Sequence, residues 1–500
     1  MRLKAKIVGI LLLCIVFFRC EVPGGGGVFG SAADVVSSSV LGPEVINTDA
    51  CVEILAQLRN EDGDIIVATE DIFFLITNTG SANIYEDEAC ETINPNKVLL
   101  KDEQSTPFYI KGPNVEEVMI EYNDAEVGSI AITTLSDHIA TAINGPVYAI
   151  EPIASNVSDF YIGGGFTTIA GAIQNRITRL KANGALDDDF NIVGSGLSGL
   201  VRAIFRIDEN ADDIVLAGDW TQINGLNSRN LASFNGLGVV DTTYNPDGGF
   251  NASAYALAMD STGKLYVGGA MSTWFPPSVL TPGLTRFTAP GVVETFLQGS
   301  GFSGGTVQAL LIDDDDDIYV GGAFNAYNGN AHANIVRLNN NGSVDNAFNK
   351  GSGLNGDVKA LAWSVDGQIY IGGGFTTYKG SSQNRLVRVS STGSKDNAFD
   401  IGSGFNGEVY SINVQADGSL YVGGAFTTYN GTTVNRIVKL NADGAIDTSF
   451  DSGLGFNSSV YTITMPNDYS GDLWVGGAFT AYQGQTQNYL VRLDAQGNLD

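Results

Sequence analysis

Few residues in this 500-residue chain could carry chemistry, and their types exclude more than they suggest. The two histidines, His138 and His332, stand in no pattern that supplies a triad partner, and there is no HExxH, P-loop or Cys/His cluster. A His-based nucleophilic mechanism has no support. Carboxylates are plentiful, and two opposed acids suffice to cleave a glycosidic bond, so a carboxylate-based reaction on a glycan stays open. The densest acidic run is Asp313, Asp314, Asp315, Asp316 and Asp317 in "LIDDDDDIYV". Its oxygens would suit a hard cation such as Ca²⁺; the competing reading is a solvated acidic turn. No other cofactor is implied. Trp274 and Phe275, in the irregular stretch "MSTWFPPSVLTPG", offer an apolar surface for a sugar ring or a partner. Trp274 also aligns with a recurrent tyrosine, which argues for core packing.

The elements that must position these residues are repeated. "LYVGGAFTTYNG" at 420–431 returns as "IYIGGGFTTYKG", "IYVGGAFNAYNG" and "LWVGGAFTAYQG", with weaker echoes upstream. Aligned on the strand before this phrase, the copies start at Val147, Val201, Ala254, Val307, Val358, Val409 and Val460. A period near fifty in a β-rich chain indicates propeller blades of four short strands. "LYVGGAF" is apolar on both alternating faces, so this strand must be covered on both sides. The paired glycines call for close approach of a neighbouring blade or the hub. A glycine in every final hairpin ("ANG", "GLG", "APG", "NNG", "STG", "ADG", "AQG") suits a three-residue loop ending in a left-handed residue. Such a loop opposes residues eight apart. It therefore predicts cross-strand ion pairs Arg179/Asp187, Arg286/Glu294, Arg337/Asp345, Arg388/Asp396, Lys439/Asp447 and Arg492/Asp500, with Ser233/Asp241 in the second copy. Catalysis would not need that pair repeated around a ring, so the pairs are read as structural.

The N-terminal residues read as an address. "MRLKAK" is a basic leader and "IVGILLLCIVFF" an apolar core too short to span a bilayer comfortably, as in a secretory signal over residues 1–19. Cys20 and "EVPGGGG" follow, opening a Gly/Ser-rich tether over residues 20–45. This resembles a bacterial lipoprotein signal, which implies lipidation at Cys20 and a bilayer contact through that anchor alone. Arg19 departs from the small residue that such signals carry. Residues 46–136 alternate short strands and turns like a β-sandwich, with residues 137–146 as a linker to the repeats. Cys51 and Cys90 are expected to pair in an exported chain, a bridge worth roughly 4 kcal/mol. "IYEDEACETI", with a partner Cys near the domain start, resembles bacterial Ig-like repeat domains that act as spacers.

"YVGGAF…NRIVKLNADGAIDTSF" resembles the delta-60-repeat β-propeller family of exported bacterial proteins, most specifically in the last four copies. Kelch propellers share the glycine pair but space Trp and Tyr differently. The resemblance implies no general activity. The expected architecture is all-β: a small Ig-like sandwich, then a seven-bladed propeller over residues 147–500. A formal net charge of −29 opposes binding to nucleic acid. The first functional reading is an exported, lipid-anchored envelope protein whose propeller binds a protein or glycan ligand without catalysis. A carboxylate-based glycosidase or lyase and a purely structural surface element are the alternatives.

Overall fold

The computed structural model describes residues 143–500, except 154–158, 182–183, 188, 191–193, 208–211, 242–247, 276–277, 295, 297–298, 466–471 and 500. Before residue 143 it describes the backbone of ten short strands. The chain divides into two compact units, Met1–His138 and Ile139–Asp500. Among the described residues no helix is long and apolar enough to cross a membrane.

In the first unit, one antiparallel sheet runs in the order Ser37–Leu41, Val52–Arg59, Ser105–Lys111 and Asn83–Tyr85. A second runs Asn96–Leu99, Ile72–Asn78, Glu117–Tyr122 and Ala125–Ala131. Val45–Ile46 pairs in parallel with Thr133–Thr134. Ser37–Leu41 falls inside the stretch read as tether, so strand pairing begins earlier than the Gly/Ser composition suggested. Cys20, Cys51, Cys90 and His138 lie outside the described residues.

The second unit is a β-propeller. The sixth copy shows the repeating plan. Val409–Val414 pairs with Leu420–Gly424, which pairs with Ile437–Leu440, and a Leu440–Ile446 bridge adds a short fourth strand. The connection after the central strand is itself a tiny hairpin, Thr428–Tyr429 against Thr432–Thr433, which the four-strand reading did not include. Among the described residues, seven such sheets follow one another. The first strand of each is an edge strand that touches the first strands of its neighbours, so these strands form the hub.

The central strand explains the glycine pair. All five residues of "FYIGG", "LYVGG", "IYVGG", "IYIGG" and "LWVGG" are buried, as a strand covered on both faces requires. A Cβ on the first glycine would strike the next copy's leading valine. Gly163 faces Val201 at 2.4 Å, Gly268 faces Val307 at 2.5 Å, Gly321 faces Val358 at 2.4 Å, Gly372 faces Val409 at 2.7 Å and Gly423 faces Val460 at 2.6 Å. The second copy has Ala217 where the others have glycine, and the third has Ala254 where the others have valine. Both are fully buried. One methyl added on one side is matched by methyls removed on the other, so the gap keeps its size.

The series closes on itself. Gly476, in the last copy, faces Val147 of the first at 2.7 Å. Phe160 packs on Trp474 with ring centroids 4.4 Å apart, and Tyr148 meets Tyr461 at 4.9 Å. Among the described residues no exchanged strand is involved. The last copy makes its own outer bridge, Leu493–Leu499, and Ile143 bridges to Ile169 within the first copy.

This closure gives a double-mutant test. Gly476→Ala alone should cost about 1–3 kcal/mol by overpacking, and Val147→Ala alone a similar amount through a cavity. The double variant reproduces the natural Ala217/Ala254 solution. It should recover at least about 0.5 kcal/mol relative to additivity in chemical denaturation. Strict additivity would show that the first and last copies do not touch.

Candidate functional site

The repeated ion pairs form where the eight-residue spacing places them. The outer hairpin closes through a backbone bond from Asn441 to Ala445, with Gly444 at φ 94°, and the corresponding glycine has positive φ in every copy. That turn sets the strands in register. Arg179 meets Asp187 at 2.5 Å, Arg286 meets Glu294 at 2.8 Å, Arg337 meets Asp345 at 3.0 Å, Arg388 meets Asp396 at 2.5 Å and Lys439 meets Asp447 at 2.9 Å. Ser233 lies opposite Asp241. Arg492 pairs with Asp472, and its expected partner Asp500 lies outside the described residues.

These arginines also reach beyond their own sheet. Arg388 donates to the Tyr370 hydroxyl and to the Ala442 carbonyl in the next copy's hairpin, both at 3.0 Å. Arg179 does the same to Gly236 at 2.8 Å, and Arg286 to Asn340 at 2.5 Å. The guanidiniums of Arg286 and Arg388 lie 4.3 Å and 5.1 Å from the Phe296 and Phe399 ring centres. The pair is therefore a clamp between neighbouring sheets. Burial works against the charge on Asp396, but the Ala398 N–H and the Arg388 guanidinium hold its carboxyl below the usual range. Asp396→Asn should cost about 2 kcal/mol in denaturant unfolding, because Arg388 stays buried without its partner. Wild-type stability from this pair should be lost only as pH falls below about 4, when Asp396 protonates.

The acidic run is drawn into the same scheme. Asp313 and Asp317 lie 2.5 Å and 3.2 Å from Arg337, which already holds Asp345. Asp316 takes the left-handed position that Gly418 occupies in the sixth copy, at φ 61°. Its carboxylate accepts from the Ser261 N–H at 2.8 Å and the Ser261 hydroxyl at 2.9 Å, in the preceding copy. Asp314 and Asp315 are exposed. Among the described residues no group of three or more His, Cys, Asp or Glu side chains is placed to hold a metal ion. The run's carboxylates are divided between an arginine and a serine rather than gathered on one centre, which corrects the Ca²⁺ reading.

Trp274 is also corrected. It is 1% exposed and packs edge-on against Phe250 and Phe287, at 4.9 Å and 5.0 Å, so it has no face to offer a sugar. It takes the core position of Tyr429, as its alignment implied. Phe275 remains 40% exposed.

A different constellation emerges at the hub. In every copy the pairing between the first two strands slips after the leading residue: Val409 faces Gly424, but Ser411 faces Gly423. The same slip recurs six more times. The skipped residue is a β-bulge, which bends the strand and re-aims its side chain. The seven bulge residues are Tyr148, Arg202, Tyr255, Gln308, Lys359, Tyr410 and Tyr461. All are half-buried, whereas the residue before each is fully buried.

Six of these side chains, all but Gln308, touch in succession round the hub. Arg202 lies over Tyr255 at 5.2 Å and over Tyr148 at 5.5 Å. Tyr148 meets Tyr461 at 4.9 Å, Tyr461 meets Tyr410 at 5.5 Å, and Lys359 lies 5.4 Å from the Tyr410 ring. Nearby acids are engaged. Asp219 holds Arg202 at 2.5 Å, and Glu408 accepts from the Tyr410 hydroxyl at 2.7 Å while lying 3.6 Å from Lys359. The girdle presents aromatic rings, an amide and two cations. Sequence reading missed it because the bulge position varies freely between copies; the signal was that variation, next to a nearly constant Val.

Deeper along the first hub strand, burial pushes Glu151 up to about 7, with the Arg206 charge and backbone opposing the shift. The folded state thus holds a proton that the unfolded chain releases near pH 4.5. This group's contribution is fully present below about pH 4.5 and is lost as pH rises through 7. Its ceiling is about 3 kcal/mol. Unfolding of wild type against Glu151→Gln at pH 5 and pH 8 should show that pH dependence in wild type only.

The profile described as "Domain of unknown function (DUF5122) beta-propeller" matches residues 161–190, 314–348, 366–399, 415–450 and 471–500. These stretches fall in the first and the last four copies; the two unmatched copies are those with the Ala217/Ala254 exchange and the Trp274 loop. No curated protein matches the chain. Among solved structures, a GH74 xyloglucanase from Xanthomonas campestris aligns with a TM-score of 0.41 and 14% identity, over 72% of this chain. The chain spans about half (53%) of that enzyme's length. By fold and by repeat, the C-terminal region of this protein is a β-propeller repeat array.

Proposed function

We propose that this protein is an exported, envelope-anchored surface protein. In this reading its seven-bladed propeller binds a glycan or protein ligand without catalysis, and its N-terminal Ig-like domain serves as the spacer. The observation that carries it is the bulge girdle. Four tyrosines, Gln308, Arg202 and Lys359 are presented together, on positions that the scaffold leaves free to vary. Rings and amides of this kind stack on and hydrogen-bond to sugars or peptide side chains. The acids beside them are already committed to those cations and to a tyrosine hydroxyl. The basic leader, apolar core and Cys20 support export and anchoring.

A carboxylate-based reaction on a glycan is the second reading, and Glu151 is what favours it. A carboxyl raised to about 7 is poised as a general acid. Its neighbour Arg206 supplies no second carboxylate.

Glycan-array screening of the chain lacking residues through Cys20 separates these readings. Retention of specific glycans should weaken at least about tenfold in Tyr148→Ala and Tyr461→Ala variants, whose stacking faces are lost. Binding untouched by both substitutions would overturn the girdle as the ligand site. Release of sugar products that stops in Glu151→Gln would instead establish the catalytic reading.

A further inference from the structure

Repeat copies provide an internal reference, because a residue that departs from its counterparts is not dictated by the scaffold. His332 is such a departure. Its N–H bonds to the Asn325 carbonyl as Gln174, Gln383 and Gln487 bond to Thr167, Thr376 and Thr480, at a position filled by Ser228, Thr281 and Val434 in the other copies, so glutamine is its commonest occupant. Gln383 and Gln487 are each 4% exposed, and Gln383 donates to the Leu386 carbonyl at 2.7 Å. Lys350 is the second departure. It stands after Phe348-Asn349 where Ile401 stands after Phe399-Asp400, and Ile401 is 3% exposed. In the next copy this corner is thus closed by a bonded glutamine and a buried isoleucine. Here it opens as a pocket of 230 Å³, lined by His332, Lys350, Asn346, Asn349 and Phe348, with the Arg337–Asp345 pair at its edge.

The pocket is electrostatically incomplete. The buried Nδ1 of His332 has no hydrogen-bond partner. Among the described residues no acid lies within ion-pair distance of Lys350. Burial lowers the affinity of both groups for a proton, and Lys350 adds to the effect on His332. Asp345 offers no compensation, being held by Arg337 at 3.0 Å. A half-buried cation without a counter-charge carries a desolvation cost, and an incoming carboxylate would offset it.

We infer that the pocket between His332 and Lys350 is a binding site for a small carboxylate of single-sugar size, such as a uronic acid. The carboxylate sits on the Lys350 ammonium, His332 contributes a ring nitrogen, and the Asn346 and Asn349 amides meet hydroxyl groups. The volume lies below the roughly 300–1,000 Å³ of drug-sized sites, so one ring fits and a chain does not. The protein's net negative charge is screened beyond about 8 Å at physiological salt, so the local cation dominates at contact. The acids gathered on Arg337 nevertheless keep the site weak, with a Kd on the order of 1 mM, about −4 kcal/mol.

The test is a titration of the full chain with glucuronate, and separately with glucose, followed by calorimetry and by the His332 imidazole resonances. Glucuronate should bind saturably and shift those resonances, and glucose should bind at least about tenfold more weakly. Lys350→Ile and His332→Gln install the residues that the next copy uses at these positions, so both should fold. Lys350→Ile should abolish binding, His332→Gln should weaken it, and Lys350→Arg should retain it. Absence of saturable glucuronate binding, equal binding of glucose, or affinity unchanged in Lys350→Ile would each overturn the inference.

Discussion

The whole propeller rests on one contact, a valine seated in the notch left by a glycine of the preceding sheet. The central strand of each sheet is apolar on both faces and cannot be shielded by its own copy. Only a neighbour pressed against either side covers it. The missing Cβ of Gly423 lets Val460 come within 2.6 Å of where that atom would be, and Gly476 with Val147 carries the same contact across the seam. The Ala217/Ala254 exchange shows that the constraint is the summed volume of the two residues rather than their identity.

Other regularities build outward from that contact. The left-handed glycine in each outer hairpin sets residues eight apart face to face, and the arginine so placed extends to the next copy's hairpin. Arg388 thus ties Asp396, Tyr370 and Ala442 together across two copies. Apolar fitting at the hub and charge clamping at the rim act on the same pairs of sheets. The acidic run of the fourth copy is an elaboration of this clamp. Arg337 gathers three carboxylates, and Asp316 is held in its left-handed turn by Ser261.

Positions that the scaffold leaves free are where recognition can be placed. The bulge residue of each hub strand is skipped in the register with the second strand and stays half-buried, so tyrosine, arginine, lysine and glutamine all fit there. The corner filled by Gln383 and Ile401 in one copy opens to His332 and Lys350 in the copy before it. In both places the backbone is the repeat's own and only the side chains differ. Such differences can accumulate at small cost in stability.

The sequence by itself determined the repeat, its boundaries and the main strands within it, because strand alternation, turn glycines and an eight-residue charge spacing are local signals. The small hairpin after the central strand was not among those strands. It also determined that Arg388 opposes Asp396 and that Trp274 replaces a core tyrosine. Tertiary structure alone decided what lies between copies. That Gly476 receives Val147, that Arg388 reaches Ala442, and that Tyr148 touches Tyr461 more than three hundred residues away depend on the ring's curvature, which no local pattern encodes. The girdle needed the bulge, and the bulge is a matter of register between strands rather than of residue type. The pocket at Lys350 needed the burial of its counterpart Ile401 before its opening had meaning.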